Sequence, residues 1–384
     1  MPEIIEMIAR LVGFDTTSRD SNLALIDYIS DYLRGHGVAH HVLYSDDRRK
    51  ANLYATIGPA DRPGIVLSGH TDVVPVDGQD WSSDPFTLHR HDDKLFGRGT
   101  ADMKSFIALC LVMVPELIAA PLAEPVHFAF SYDEEVGCLG IGGLIDHIRP
   151  IKPLPRAVII GEPTDMMVIN AHKGLMALRT TITGREGHSS NPAAGANAIV
   201  AAAELIGYLG QIAADMEQAG DPGGRFNPPY TTVNVGRIEG GTAVNIIPRH
   251  CAFDWEYRVL PGQDEEEIRH RFEEFARTSV LPRLRASGGG DANIVTEKTG
   301  HVLPLIAQDN SDAETLVLAL ANRNQPVTVA YGTEAGFFQK LGIPAVVCGP
   351  GSIDQAHRPD EFISLVQLRA CHGFLKNLVA AISD

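Results

Sequence analysis

Cysteine is scarce in this chain: only Cys110, Cys138, Cys251, Cys348 and Cys371 occur in 384 residues, and no two form a CxxC pair. An odd, scattered set argues against a disulfide framework and reads as reduced, mostly buried thiols. Basic residues are also few, with 32 Lys+Arg against 48 Asp+Glu and a formal net charge of -16. That deficit argues against nucleic acid or an anionic membrane as a partner, because both require basic surface. No uninterrupted apolar run reaches the ~18 residues of a membrane span. The opening MPEIIEMIARLVGF lacks the basic start and apolar stretch of a signal peptide. The expectation is a cytoplasmic protein, with part of its acid excess available to bind cations.

What is present is ordinary for a soluble globular chain: 44% hydrophobic and 21% charged residues, at a length that suggests two or more domains. Apolar residues at helical spacing (Ile4, Ile5, Ile8, Leu11; Leu25, Ile26, Ile29, Leu33) predict helices over 3–12 and 22–36. Short β-rich runs follow at 41–44, 52–57, 65–68, 126–131 and 157–160, with a buried helix at 103–119. Continuously apolar strands alternating with helices predict an α/β fold, a mostly parallel sheet with helices on both faces. After His172-Lys173-Gly174 the pattern changes to the half-exposed strand 175–183, an alanine-rich helix 194–214, strands 230–238 and 250–258, and a charged helix 264–285. Closed by a strand near 292–297, this order describes an α+β, ferredoxin-like domain. From about 300 the α/β character resumes, with a strand at 345–349 and a last helix at 365–382. The expected organisation is a discontinuous domain over 1–174 and 299–384 with 175–298 inserted.

Polar clusters stand immediately after apolar strands. IVLSGHTDVVP places His70 and Asp72 after 65–68, FAFSYDEEVG places Glu134 and Glu135 after 126–131, and AVIIGEPT places Glu162 after 157–160. GRGTADMK puts Asp102 before a helix, and CGPGSIDQAHRPDE puts His357 after the 345–349 strand. In open α/β sheets ligands collect outside the carboxyl ends of the strands, so these distant residues are candidates to converge. Any one of the acids alone would suit a helix cap; five such positions, two with histidine, suit capping poorly. Imidazoles and carboxylates without thiolate fit a catalytic zinc, cobalt or manganese site better than a structural zinc. So many acids in one cleft repel one another, and two divalent cations offset that repulsion better than one. HRHDD at 89–93, with His89, His91, Asp92 and Asp93, imitates a metal motif but reads as an exposed hairpin.

SGHTDVVP, GRGTADMK, SYDEEVG, GEPTD and AHRPDE resemble, in order and across nearly the whole chain, the signature of the dinuclear zinc aminoacylases, carboxypeptidases and desuccinylases. The resemblance implies that His70 and Glu162 bind one cation, zinc or alternatively cobalt, and Glu135 and His357 the other. It makes Asp102 the bridge, through a cis peptide on its C-terminal side, and Glu134 the general base. Asp72 would orient His70, and Asp133 would be a solvated neighbour. GREGHSSNPAAGANA is similar to the family's lid motif, whose His188 reaches the partner subunit's site. Asn245 and Arg258 match positions near substrate, so the inserted domain is expected to act as lid and homodimer interface. Ser105 departs from the pattern, where glycine often follows the lysine.

The stretch AYGTEAGFF at 330–338 resembles the acetylornithine deacetylase branch of this family. It implies that Gly332 and Thr333 contact a carboxylate and that Glu334 recognises the δ-ammonium of N2-acetyl-L-ornithine, unless Glu334 merely caps the following helix. The alternatives within the class are an acetylcitrulline deacetylase or a succinyl-diaminopimelate desuccinylase; the latter requires a cationic pocket, and the loop offers no arginine. A non-catalytic binding protein would have no use for Glu134.

Overall fold

The computed structural model describes residues 1–221, 223–287 and 290–384. The chain divides into two compact units. Met1–Ala171, Leu305–Thr328 and Thr333–Asp384 form the first; His172–Pro304 and Val329–Gly332 form the second.

The first unit contains an eight-stranded sheet in the order His40–Tyr44, Ala51–Ile57, Val126–Ser131, Ile65–His70, Ala157–Ile160, Ala345–Val347, Ile169–His172, Val327–Val329. Its four central strands, from Val126–Ser131 to Ala345–Val347, run parallel. Antiparallel pairings flank them at Ala51–Ile57, His40–Tyr44 and Ile169. The sheet is therefore mixed, not mostly parallel as predicted. For the outermost pair the connection length explains this: the short turn 45–50 can only return the chain antiparallel, whereas a parallel neighbour needs a long crossover. Ile65–His70 and Val126–Ser131 are buried along their whole length, as strands covered on both faces must be. Leu53, Leu67 and Phe128 join a core with residues of the helices Pro2–Val12, Leu23–Gly35, Lys104–Val112 and Leu365–Ala381. Ile141–Ile148 and Ala335–Lys340 pack on Ala51–Ile57 and Ala157–Ile160, whose alternate residues Tyr54, Val158 and Ile160 are also buried. The predicted helix 103–119 breaks at Met113, and Pro115 sits in the first turn of the second piece, Val114–Ala119, where proline is tolerated.

The second unit follows a β-α-β-β-α-β path with an antiparallel sheet ordered Thr232–Gly240, His250–Val259, Gly174–Thr183, Asn293–Val302. The last strand outruns the expected 292–297 because pairing resumes after a bulge between Lys298 and Gly300. Gly174–Thr183 alternates buried and half-exposed residues, and its inward Leu178 and Ile182 meet Phe253, Trp255, Leu205, Leu209 and Phe272. Helix Ala198–Ala219 starts at Asn197, whose side chain accepts the Val200 N–H. It is long and apolar enough to cross a membrane by length and composition alone. Its Leu205 and Leu209 pack into the core, while Glu204 and Asp215 pair with Arg283 and Arg271.

Candidate metal centre

Because the central strands are parallel, their carboxyl ends lie along one edge of the sheet. His70 ends Ile65–His70, Glu134 and Glu135 follow Val126–Ser131, Glu162 follows Ala157–Ile160, and His357 lies on the loop after Ala345–Val347. Asp102 arrives on the turn that leads into helix Lys104–Val112, and the Asp102–Met103 peptide is cis. Ligand-capable atoms of His70, Asp102 and Glu162 lie within 4.8 Å of one another, and so do those of Asp102, Glu135 and His357. Asp102 belongs to both groups: its Oδ1 is 2.9 Å from His70 Nε2 and its Oδ2 3.3 Å from His357 Nε2. Glu162 Oε1 stands 3.7 Å from His70 Nε2, and Glu135 Oε2 3.0 Å from His357 Nε2.

The electrostatics reflect crowded acids. Burial, then the neighbouring Asp102, pushes Glu135 and Glu162 up to about 7. Asp102 itself is held low: burial works against its charge, but His357 and His70 outweigh it. His357 is raised to about 11 by its bonds to Asp102 and Glu135. Burial opposes charge on His70, yet Glu162, Asp102 and Asp72 lift it well above the ordinary imidazole range. A cluster of this kind calls for positive charge, which divalent cations supply. The donors fit that use: nitrogen and oxygen only, with Glu135 Oε1 buried and without a hydrogen-bond partner.

The acid triplet forms a tight turn in which Asp133 takes φ 57° and Cys138 φ 55°. Asp133 is not the solvated neighbour expected from sequence: its side chain is only 13% exposed and pairs with Lys50, which also donates to the Ser18 carbonyl. Asp72 also differs from expectation. His70 Nδ1 is 2.9 Å from the Asp72 carbonyl but 3.5 Å from its carboxylate, so the main chain chiefly orients the ring. The Asp72 carboxylate accepts instead from Ser18 Oγ at 2.7 Å and from the N–H groups of Glu134 and Glu135 at 3.2 and 3.3 Å. It therefore ties the first histidine to the glutamate turn. Burial, then Glu162, raises Glu134 well above the usual carboxyl range. Cys138, read from sequence only as one of five thiols, places Sγ 3.7 Å from Glu134 Oε1.

Sequence reasoning missed Arg98 and Glu361, both fully buried and paired at 2.6 Å. Removing one partner of such a pair costs about 3–5 kcal/mol. The signal was the final acid of AHRPDE, a motif read for its histidine alone.

The remaining predicted residues fall in both units. Thr333 Oγ1 accepts the Ala335 N–H at 3.2 Å, whereas Glu334 makes no side-chain capping bond to helix Ala335–Lys340. Glu334 is 1% exposed, keeps Oε1 without a partner, and is pushed by burial to about 7. Gly332 belongs to the second unit, where a Cβ would meet Val302 Cγ1 at 2.8 Å. Also in the second unit, His188 is exposed with Nδ1 2.7 Å from Ser190 Oγ, Asn245 is exposed, and Arg258 Nε donates to Glu256 at 3.2 Å. His89, His91, Asp92 and Asp93 lie exposed on the hairpin His89–His91/Lys94–Phe96.

Comparison with known proteins adds to this geometry. Residues 66–381 match the model of peptidase family M20/M25/M40. An acetylornithine deacetylase of Pasteurella multocida is 36% identical over 386 residues, covering 99% of this chain and 98% of that protein. Among solved structures, an M20 family metallo-carboxypeptidase from Sulfolobus solfataricus superposes with a TM-score of 0.78 at 19% identity, over 99% of both chains. A dinuclear-metal-binding M20 peptidase from Bacillus subtilis does so with a TM-score of 0.62 at 16% identity, over 99% of this chain and 98% of that one.

Proposed function

The chain belongs to the M20/M25/M40 peptidase family of metal-dependent hydrolases, and we propose that it converts N2-acetyl-L-ornithine to L-ornithine and acetate, a cytoplasmic step of arginine biosynthesis. The observation that carries this reading is the pair of ligand groups sharing Asp102 with Glu134 alongside. His70 and Glu162 would hold one divalent cation and Glu135 and His357 the other, with Asp102 available to both groups; zinc is the expected metal, with cobalt able to replace it. Bound there, the cations polarise the acyl carbonyl and acidify the attacking water. Glu134 takes the proton of that water and returns it to the leaving α-amine. Asp72 keeps Glu134 and Glu135 aimed by holding their N–H groups.

In the same reading the second unit is a ferredoxin-like lid and homodimer interface. His188 of one subunit serves the other's acyl oxygen, Asn245 lies near the substrate, and Arg258 grips the α-carboxylate in a bidentate pair. Gly332 and Thr333 add N–H and hydroxyl contacts, and Glu334 answers the δ-ammonium. The orphaned Glu334 Oε1 supports that assignment, since a buried acceptor left unpaired is costly. Steady-state hydrolysis of acetylornithine, acetylcitrulline and succinyl-diaminopimelate, with zinc or cobalt added, tests the substrate; preference for either of the last two sinks it. Glu334→Gln should narrow the preference for acetylornithine over acetylnorvaline, and an unchanged ratio rejects the role of Glu334.

A further inference from the structure

Asp102 stands on neither a strand nor a helix, so no ladder of its own fixes it. Its turn bends at Gly97 and Gly99, with φ 156° and 82°, and leaves main-chain N–H groups pointing inward. Three of them converge on one carboxylate: Ala101 N and Asp102 N lie 2.8 and 3.0 Å from Glu361 Oε1, and Gly99 N lies 3.1 Å from Oε2. Such a concavity of N–H groups suits an anion. The Glu361 carbonyl also accepts from Gly97 N at 2.9 Å.

Glu361 comes from the segment that carries His357, and the connection closes on that side too. Arg98 donates to Glu361 Oε2 at 2.6 Å, to Gln79 Oε1 at 2.6 Å and to the Arg358 carbonyl at 3.4 Å. Gln79 Nε2 donates to the His357 carbonyl at 2.9 Å, and Trp81 Nε1 donates to Gln79 Oε1 at 3.0 Å, which fixes the sense of the amide. His357 itself takes φ 64°, so its loop needs such an anchor. The circuit runs from Asp102 through Glu361, Arg98 and Gln79 to His357, yet none of the three linking residues belongs to a ligand group.

We infer that Glu361 is a positioning residue for cation binding, acting with Arg98 and Gln79 to hold Asp102 and His357 in register. The inference rests on the two-cation reading above and adds a selectivity to it. His70 closes a strand and Glu162 closely follows one, so their group keeps most of its frame without the circuit. The group of Asp102, Glu135 and His357 draws two of its three ligands from the ends of the circuit. A carboxylate is required at 361 because each of its oxygens accepts two N–H donors. A glutamine would turn an NH₂ toward two of them.

Titration with cobalt chloride, followed by visible absorption and by metal content after dialysis, tests this without recourse to turnover. Wild type should take up two cations per chain. Glu361→Gln should keep the first and weaken the second by about 10- to 100-fold in Kd, and Glu361→Asp should restore part of the loss. Gln79→Ala leaves the buried Arg98–Glu361 pair in place and should weaken only the second cation, by about 10-fold. An unchanged second Kd in Glu361→Gln, or equal weakening of both cations, overturns the inference. If that variant fails to fold, an unchanged second Kd in Gln79→Ala overturns it. Uptake of a single cation by wild type would overturn the two-cation reading, and this inference with it.

Discussion

In the first unit Ile65–His70 is buried along its whole length, whereas Gly174–Thr183 in the second alternates buried and half-exposed residues. Charge follows the same division. The first unit buries His70, Asp72, Arg98, Asp102, Lys104, Glu162, Glu334 and Glu361. Among the described residues of the second, the buried ionisable side chains are His172 and Lys173 at its start, apart from thiol and phenol groups. Its ion pairs, such as Arg179–Asp254 and Arg269–Glu266, lie in contact with solvent. Exposed pairs cost little to form or lose. A buried charge persists only where partners or a ligand compensate it, so burial marks the unit in which chemistry is expected.

The largest effect expected from this contrast is catalytic. Glu134→Gln should lower turnover by about 10²- to 10⁴-fold while both cations remain bound. Undiminished turnover would make the buried acids structural and dissolve the contrast. Next in size is an effect of pH on stability. His127 is 4% exposed, stacked on Tyr54 and 2.9 Å from Thr56 Oγ1, and burial lowers its pKa from 6.5 to about 4. The unfolded chain binds this proton below about 6.5 and the folded chain only near 4. Stability is therefore complete above 6.5 and lost as the pH falls toward 4, by up to ~3 kcal/mol. Denaturant unfolding at pH 7 and 4.5 should show a smaller difference for His127→Gln than for wild type. The smallest effect belongs to the second unit, where Arg269→Met should change unfolding free energy by less than ~1 kcal/mol. A larger loss would show that its surface pairs do more than decorate the sheet.

Much of this was legible in the residues because the signals are local. Ile4, Ile8 and Leu11 share one face of a helix at any tertiary arrangement, and polar residues directly after apolar strands are drawn to one edge by parallel pairing. Helices Ile141–Ile148 and Asp312–Leu320 escaped notice, being short and close to glycine-rich or polar stretches. The antiparallel direction of Ala51–Ile57 was not legible because a buried run looks the same in either direction. The Lys50–Asp133 pair and the Arg98–Glu361 pair were invisible for a different reason: each joins residues far apart in the chain, and nothing in either neighbourhood names the other.

That last separation has a consequence for how the protein is made. The amide of Asp102 waits for a carboxylate 259 residues downstream, and the intervening stretch includes the whole of the second unit. During synthesis from the N-terminus, His70, Asp102 and Glu162 leave the ribosome long before the arm that completes their surroundings. The nascent pocket is thus an unfinished cup, able to close only after Glu361 has emerged. Loss of residues 361–384 would spare every ligand but remove the anchor Glu361, whereas loss of 355–384 would remove His357 as well.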